Sequence, residues 1–243
     1  MQIDFSGKRA LIVGGSSGIG NGVAQALRAQ GADVTVWGTR ANAADYDGAD
    51  GSDLEGLTYV QVDASDRAAV EAQPVPEMLD VLVLCQGTVR YNREEFEAPG
   101  WDVVMDVNIN SVMDVARQFH PALARAKGSV IIVSSVAGFN ATIGNPAYSA
   151  SKHAAVGLTK TLGAAWAKDG IRVNGLAPGL VDTKLTKVTT ENEKRLAGAL
   201  RTIPQARLGT PEDMAGVVMF LASPLASYVT GQTIIADGGL SLQ

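Results

Sequence analysis

Arg9-Ala10-Leu11-Ile12-Val13-Gly14-Gly15-Ser16-Ser17-Gly18-Ile19-Gly20 decides the fold. Its first five residues are a short apolar run, which reads as a buried parallel strand. After the glycines a helical pattern runs through Val23, Ala26 and Leu27. Glycines between a strand and a helix let the backbone turn tightly and approach a ligand closely. The helix N-terminus then presents free N–H groups to a phosphate. With strand, turn and helix in that order, the stretch points to nucleotide binding rather than to a bare glycine-rich turn. The spacing is G-x-x-x-G-x-G, not the G-x-G-x-x-G of the larger dinucleotide-binding domains.

Outward from this stretch the same grammar repeats. Val34–Trp37, Leu57–Val62, Val81–Leu84, Val130–Val133, Ile171–Asn174 and Thr233–Ala236 read as further strands. Helical patterns lie between them at 66–73, Trp101–Lys127, 148–168 and 211–222, with a kink expected at Pro121. Residues 41–56 carry turn formers, so that crossover should be short or irregular. The connections are too long for hairpins, which implies a parallel sheet with helices on both faces. No repeat, low-complexity tract or linker interrupts residues 1–243. The expected fold is therefore a single-domain α/β structure, a Rossmann-type doubly wound parallel sheet. Ligands of such sheets bind at the carboxyl ends of the strands, where strand order reverses. Gly14, Gly38, Asp63, Gly87, Ser135 and Pro178 all follow strand ends and should converge on one crevice.

Composition narrows the partners. Of 243 residues 46% are hydrophobic and 19% charged, enough for a sizeable core. The net charge of −5, without a long run of one sign, argues against nucleic-acid and anionic-membrane partners. Cys85 is the only cysteine, so no internal disulfide can form and a reducing cytoplasm fits. The N-terminal apolar run is too short for a signal peptide or a membrane span. With two histidines and one cysteine, no zinc site is expected.

The candidate chemistry lies in VSSVAGFNATIGNPAYSASK, residues 133–152. Tyr148 and Lys152 are four residues apart, and on a helix such positions share a face with about 5–6 Å between Cβ atoms. An ammonium that close favours a phenolate. A free tyrosine titrates near 10, so activity near neutral pH needs roughly 4 kcal/mol of differential stabilisation. The result would be a general acid/base. Ser135, after an apolar run, should face the same cleft. By itself the Tyr-x-x-x-Lys spacing is common on solvated helices. At the end of the second strand, where an acidic residue would hold the ribose 2′-OH of NAD, this chain has Gly38-Thr39-Arg40. Without a carboxylate a 2′-phosphate is not repelled, and Arg40 is available to pair with it. That favours NADP(H) over the alternative, NAD(H).

Taken together, the glycine turn, Asn108, Ser135, Tyr148, Lys152 and Pro178-Gly179 resemble the short-chain dehydrogenase/reductase family over essentially the whole chain. The resemblance implies Tyr148 as the proton donor or acceptor and Ser135 as the group that orients the reacting oxygen. It implies Lys152 as the holder of the nicotinamide ribose and Asn108 as the anchor of a relay water. It further implies Gly14, Ser16, Ser17, Gly18, Ile19 and Gly20 at the pyrophosphate and ribose, and Asp63 and Ala64 at the adenine. Gln86 and Gly87 would lie by the cofactor, and Pro178, Gly179, Val181 and Thr183 near the carboxamide. The family's usual threonine before the first glycine is Val13 here, and its Asn-Asn-Ala-Gly is Leu84-Cys85-Gln86-Gly87. Gln86 is expected to donate hydrogen bonds near the cofactor, and Cys85 to be a small buried apolar residue rather than a nucleophile.

The implied activity is interconversion of a secondary alcohol and a ketone, on a small-molecule substrate. A 3-oxoacyl-carrier-protein reductase is one form of it, and a non-catalytic dinucleotide-binding sensor is the competing class. The mixed-charge segment around 184–208 reads as a solvated helix face or a substrate lid. Arg90 and Tyr91 are candidates to meet a polar or anionic substrate. The family's usual homotetramer is expected, with helices 101–127 and 148–168 pairing between subunits.

Overall fold

The computed structural model describes residues 3–46 and 52–242. Seven strands form one parallel sheet: β1 Arg9–Val13, β2 Asp33–Gly38, β3 Thr58–Gln61, β4 Val81–Leu84, β5 Ser129–Val133, β6 Arg172–Pro178 and β7 Thr233–Ala236. Their order is β3-β2-β1-β4-β5-β6-β7, so the chain reverses direction across the sheet between β1 and β4. The helices are α1 Gly18–Ala29, α2 Arg67–Glu71, α3 Ala98–Met105, α4 Ser111–Ala126, α5 Pro146–Trp166, α6 Lys187–Thr190, α7 Glu193–Thr202 and α8 Pro211–Ala222.

Alternation along the strands builds two cores. Leu11, Val13, Leu82, Leu84, Val130 and Ile132 face α4 and α5, where Val115, Phe119, Leu123 and Leu162 meet them. Ile12, Val36, Val83, Ile131 and Val133 face α1 and α8, against Val23, Leu27, Val218 and Leu221. Each such side chain contributes about 1.5–3 kcal/mol on full burial. Both faces are covered, so the central strands read as continuous apolar runs.

Two segments differ from expectation. β6 continues past Asn174 to Pro178. Gly175 does not end it, because the missing side chain makes room for Thr233 of β7, whose Oγ1 would lie 2.5 Å from a Cβ there. The segment expected as one helix over Trp101–Lys127 is two, divided by a π turn at Asp106–Asn110. The interruption falls at Asn108 and not at Pro121, which α4 passes through. Pro121 is exposed, so the carbonyl it leaves unpaired can meet water. The polar segment after Val181 holds α6 and α7. Of the 41–56 crossover, a 3₁₀ turn at Ala43–Tyr46 is seen, and residues 47–51 lie outside the described residues. No helix among the described residues is long and apolar enough to cross a membrane.

Candidate active site

The carboxyl ends of the strands open into a cleft of about 880 Å³. The glycine turn supplies Gly14, Ser16, Ser17, Gly18, Ile19 and Gly20 to its wall, and the exit of β2 supplies Gly38, Thr39 and Arg40. Asp63 and Ala64 follow β3, Gln86 and Gly87 follow β4, and Pro178, Gly179, Val181 and Thr183 come from the exit of β6. Ser135, Tyr148 and Lys152 line the same cleft. Asn108 does not line it; it is buried behind, 1% exposed.

Close approach explains the glycines. Gly14 has φ +75°, and a Cβ there would lie 2.9 Å from the Gln86 backbone. At Gly20 a Cβ would lie 2.2 Å from the Gly14 carbonyl oxygen. The turn is thus wound against the loop after β4. Val13 needs no hydroxyl to hold that loop, because its carbonyl accepts the Cys85 N–H at 3.0 Å.

α5 carries the reactive groups. Ser135 lines the cleft beside the Tyr148 phenol, and its Oγ accepts the Ala137 N–H at 3.1 Å. Lys152 is buried, donates from Nζ to the Val133 carbonyl at 3.0 Å, and stands 5.6 Å from the centroid of the Tyr148 ring. Burial draws its ammonium down to about 8, with Cys85 opposing. Burial pushes the Tyr148 phenol above its ordinary value, the Ser135 hydroxyl pulls it down, and Tyr91 and Glu95 add to the rise. The expected lowering of Tyr148 by Lys152 is therefore not seen. Burial is the largest cause of the Tyr148 shift, and the ammonium is directed to Val133. Cys85 is likewise pushed up, to about 11, by burial, with Lys152 opposing, which fits an unreactive thiol.

Asn108 joins two elements around this pair. Its Nδ2 donates to the Thr88 carbonyl at 2.9 Å and to Ser151 Oγ at 3.1 Å, and its Oδ1 accepts the Thr88 N–H at 2.7 Å. Both amide hydrogens are thus committed, and one acceptor lone pair is left. Gln86 donates one amide hydrogen to Ser111 Oγ at 2.9 Å and keeps a buried Oε1 without a partner among the described residues.

Sequence reasoning missed Glu95. It is 1% exposed and accepts the Tyr148 N–H at 2.9 Å, the Arg90 N–H at 2.9 Å and Asn145 Nδ2 at 3.4 Å. A carboxylate at the start of a helix satisfies free N–H groups and complements the dipole. It lies in a run of charged residues, Arg93-Glu94-Glu95, from which the sequence does not single it out. Ser134 was also missed: its Oγ donates to the Lys152 carbonyl at 2.8 Å.

These groups fit a nicotinamide dinucleotide. A turn with no room for side chains opens a helix, a buried acceptor at Gln86 lacks a partner, and the wall at Gly87 carries no side chain between Lys152 Nζ and Asn108 Oδ1. Fold and cleft together define an oxidoreductase of the Rossmann-type dinucleotide class. Residues 13–241 match the family described as Enoyl-(Acyl carrier protein) reductase. A 2-dehydro-3-deoxy-D-gluconate 5-dehydrogenase of Bacillus subtilis (strain 168) is 36% identical, with 97% of this chain and 95% of that protein covered. A 3-oxoacyl-[acyl-carrier-protein] reductase FabG of Chlamydia muridarum is 34% identical, with 96% and 97% covered. The crystal structure of a gluconate 5-dehydrogenase from Burkholderia cenocepacia J2315 in complex with NADP and tartrate superposes with a TM-score of 0.89 at 30% identity, covering 99% of this chain and 98% of that one. The chain belongs to the short-chain dehydrogenase/reductase family, NAD(P)(H)-dependent enzymes that act on CH–OH groups and the corresponding carbonyls.

Proposed function

We propose that this protein is a cytoplasmic NADP(H)-dependent oxidoreductase that interconverts a ketone and a secondary alcohol on a small, polar, acidic substrate, with Tyr148 as general acid/base. The observation that carries this reading is the grouping of Ser135, Tyr148 and Lys152 in one cleft, at the strand edge that also bears the glycine turn.

When bound, the nicotinamide supplies or takes the hydride. In reduction Tyr148 gives its phenolic proton to the carbonyl oxygen, and in oxidation it takes the proton back. Ser135 donates a hydrogen bond to the same oxygen and fixes its orientation. Lys152, cationic up to about pH 8, favours the phenolate that forms. Asn108 positions Thr88 and the α5 backbone around this pair. Gly14, Ser16, Ser17, Gly18, Ile19 and Gly20 would hold the pyrophosphate and ribose, Gly38, Thr39 and Arg40 the 2′-phosphate, and Asp63 and Ala64 the adenine. Gln86, Gly87, Pro178, Gly179, Val181 and Thr183 would flank the nicotinamide, with 184–208 as the substrate lid.

The NADP complex of the Burkholderia enzyme supports that cofactor. Arg90 and Lys184 line the cleft, and the relatives named for gluconate-type substrates support a carboxylate-bearing sugar derivative. A second reading, reduction of a 3-oxoacyl thioester, is supported by the relatives named FabG. Trp101, Val103 and Met113 leave apolar surface on α3 and α4, which supports a homotetramer; a monomeric mass in solution would overturn that.

The deciding experiment follows NADPH absorbance with a panel of keto sugar acids beside short 3-oxoacyl thioesters. Turnover of the sugar acids is expected. Turnover of thioesters alone would establish the second reading, and cofactor binding without turnover on any substrate would point to a sensor.

A further inference from the structure

At the exit of β2 two successive backbone N–H groups, of Thr39 and Arg40, donate to one oxygen, the hydroxyl of Tyr46, at 3.1 Å each. The Ser16 hydroxyl of the glycine turn borders the same space: a Cβ at Gly38 would lie 2.5 Å from it and 2.7 Å from the Tyr46 hydroxyl. Donors from two loops that converge on one point make an anion-binding concavity. Here a phenol of the same chain fills it, on a residue only 6% exposed. Burial alone would raise this phenol; the polar groups of Ser16, Arg40, Tyr59 and Thr39 around it outweigh that and hold the group below a tyrosine's ordinary value. Donors so placed favour a negatively charged oxygen.

The phenol also controls its neighbours. Its hydroxyl lies 2.7 Å from where a Cβ would stand at Gly38, so Tyr46 fills from across the turn the space a side chain at the end of β2 would take. The Arg40 guanidinium lies over the Tyr46 ring, 4.5 Å from its centroid, and donates to the Asp45 carbonyl. Arg40 is therefore held on the ring and not aimed into the nest.

We infer that the Tyr46 hydroxyl is an internal stand-in for the 2′-phosphate, that NADP(H) binds by displacing it, and that Tyr46 thereby sets the balance between NADP(H) and NAD(H). This rests on the reading that the cleft takes a 2′-phosphorylated dinucleotide at Gly38–Arg40. A phosphate satisfies the same donors with more charge, and charge-assisted bonds are the stronger ones. Displacement of the ring also releases Arg40 to pair with the phosphate. NADH brings no group that must evict the phenol.

Tyr46→Phe keeps the ring under Arg40 and beside Tyr59 and removes only the competing oxygen. Wild type and variant are titrated by fluorescence or calorimetry with NADPH, NADH, 2′-AMP and 5′-AMP. Removing one competing hydrogen-bonded group should tighten NADPH and 2′-AMP by about three- to tenfold and leave NADH and 5′-AMP unchanged. Unchanged or weakened NADPH binding in the variant, with NADPH still bound by wild type, overturns the role of Tyr46 and leaves the cofactor reading standing. Equal tightening of NADPH and NADH overturns it as well. Binding of NADH but of neither NADPH nor 2′-AMP by both proteins overturns the cofactor reading and this inference with it.

Discussion

The cleft has two unlike walls. On one side α5 is pinned at each of its functional residues. Glu95 holds the Tyr148 N–H, Asn108 holds Ser151, Ser134 holds the Lys152 carbonyl and Val133 holds the Lys152 ammonium. A Cβ at Gly138 would lie 2.6 Å from the Lys152 carbonyl oxygen, so the loop is packed directly onto the helix. On the other side, the 3₁₀ turn Lys184–Thr186, α6 and α7 contain no buried residue. Leu185 and Val188 line the cleft and are exposed, and Tyr91 ties the segment across with a hydroxyl that donates to the Leu185 carbonyl at 2.9 Å. Proton transfer needs fixed positions and a substrate needs room to enter. The difference in anchoring assigns the first task to α5 and the second to the segment opposite.

The largest effect expected from either wall is that of Tyr148→Phe. It removes the proton from the fixed wall and should lower kcat by about 10²–10⁴ with NADPH affinity kept. A smaller loss would mean that another group delivers the proton. Glu95→Gln loosens the same wall without touching the reacting atoms. The carboxylate serves three donors, and an amide has only one oxygen, so an N–H is left unpaired at a cost of about 1–3 kcal/mol. Tm should fall by roughly 2–4 °C for each kcal/mol. The Glu95 charge is among the causes that raise Tyr148, so its removal lowers the phenol, and the rise of the oxidation rate with pH should move to lower pH. A Tm loss with no movement of the profile would make Glu95 a cap alone. Tyr91→Phe removes one exposed tether of the other wall. It should raise KM by no more than about tenfold and leave Tm unchanged. A Tm loss matching that of Glu95→Gln would erase the contrast.

Backbone-coded features were legible in the sequence. Glycines at fixed offsets, apolar runs and the Tyr-x-x-x-Lys spacing are local signals, and they yielded seven strands and the cleft-lining residues. Features that depend on distant partners were not legible. Glu95 becomes a helix cap only because the loop after β4 folds onto α5, fifty residues on. Tyr46 sits in a turn-rich stretch where only the folded β2 exit shows what its hydroxyl meets. The direction of the Tyr148 shift was misjudged because spacing reports a nearby charge and is blind to desolvation. At α7 a helix face was one of the two readings, but mixed charges are those of any solvated surface and do not say whether the helix closes over a substrate.

The π turn at Asp106–Asn110 has a consequence that is a matter of counting. Asn108 precedes Val112, Val115 and Phe119 by four, seven and eleven residues, and those three face the sheet core from α4. In an uninterrupted α-helix such intervals share one stripe. Asn108 would then be pressed into the apolar core. The wider turn holds one residue more than an α turn, and at 3.6 residues per turn that residue advances the phase by about 100°. The amide is thereby rotated away from the core to Thr88 and Ser151. The wider turn, as much as the residue types, puts Asn108 where it is: the same sequence wound as an unbroken α-helix would make a better helix and a worse active site.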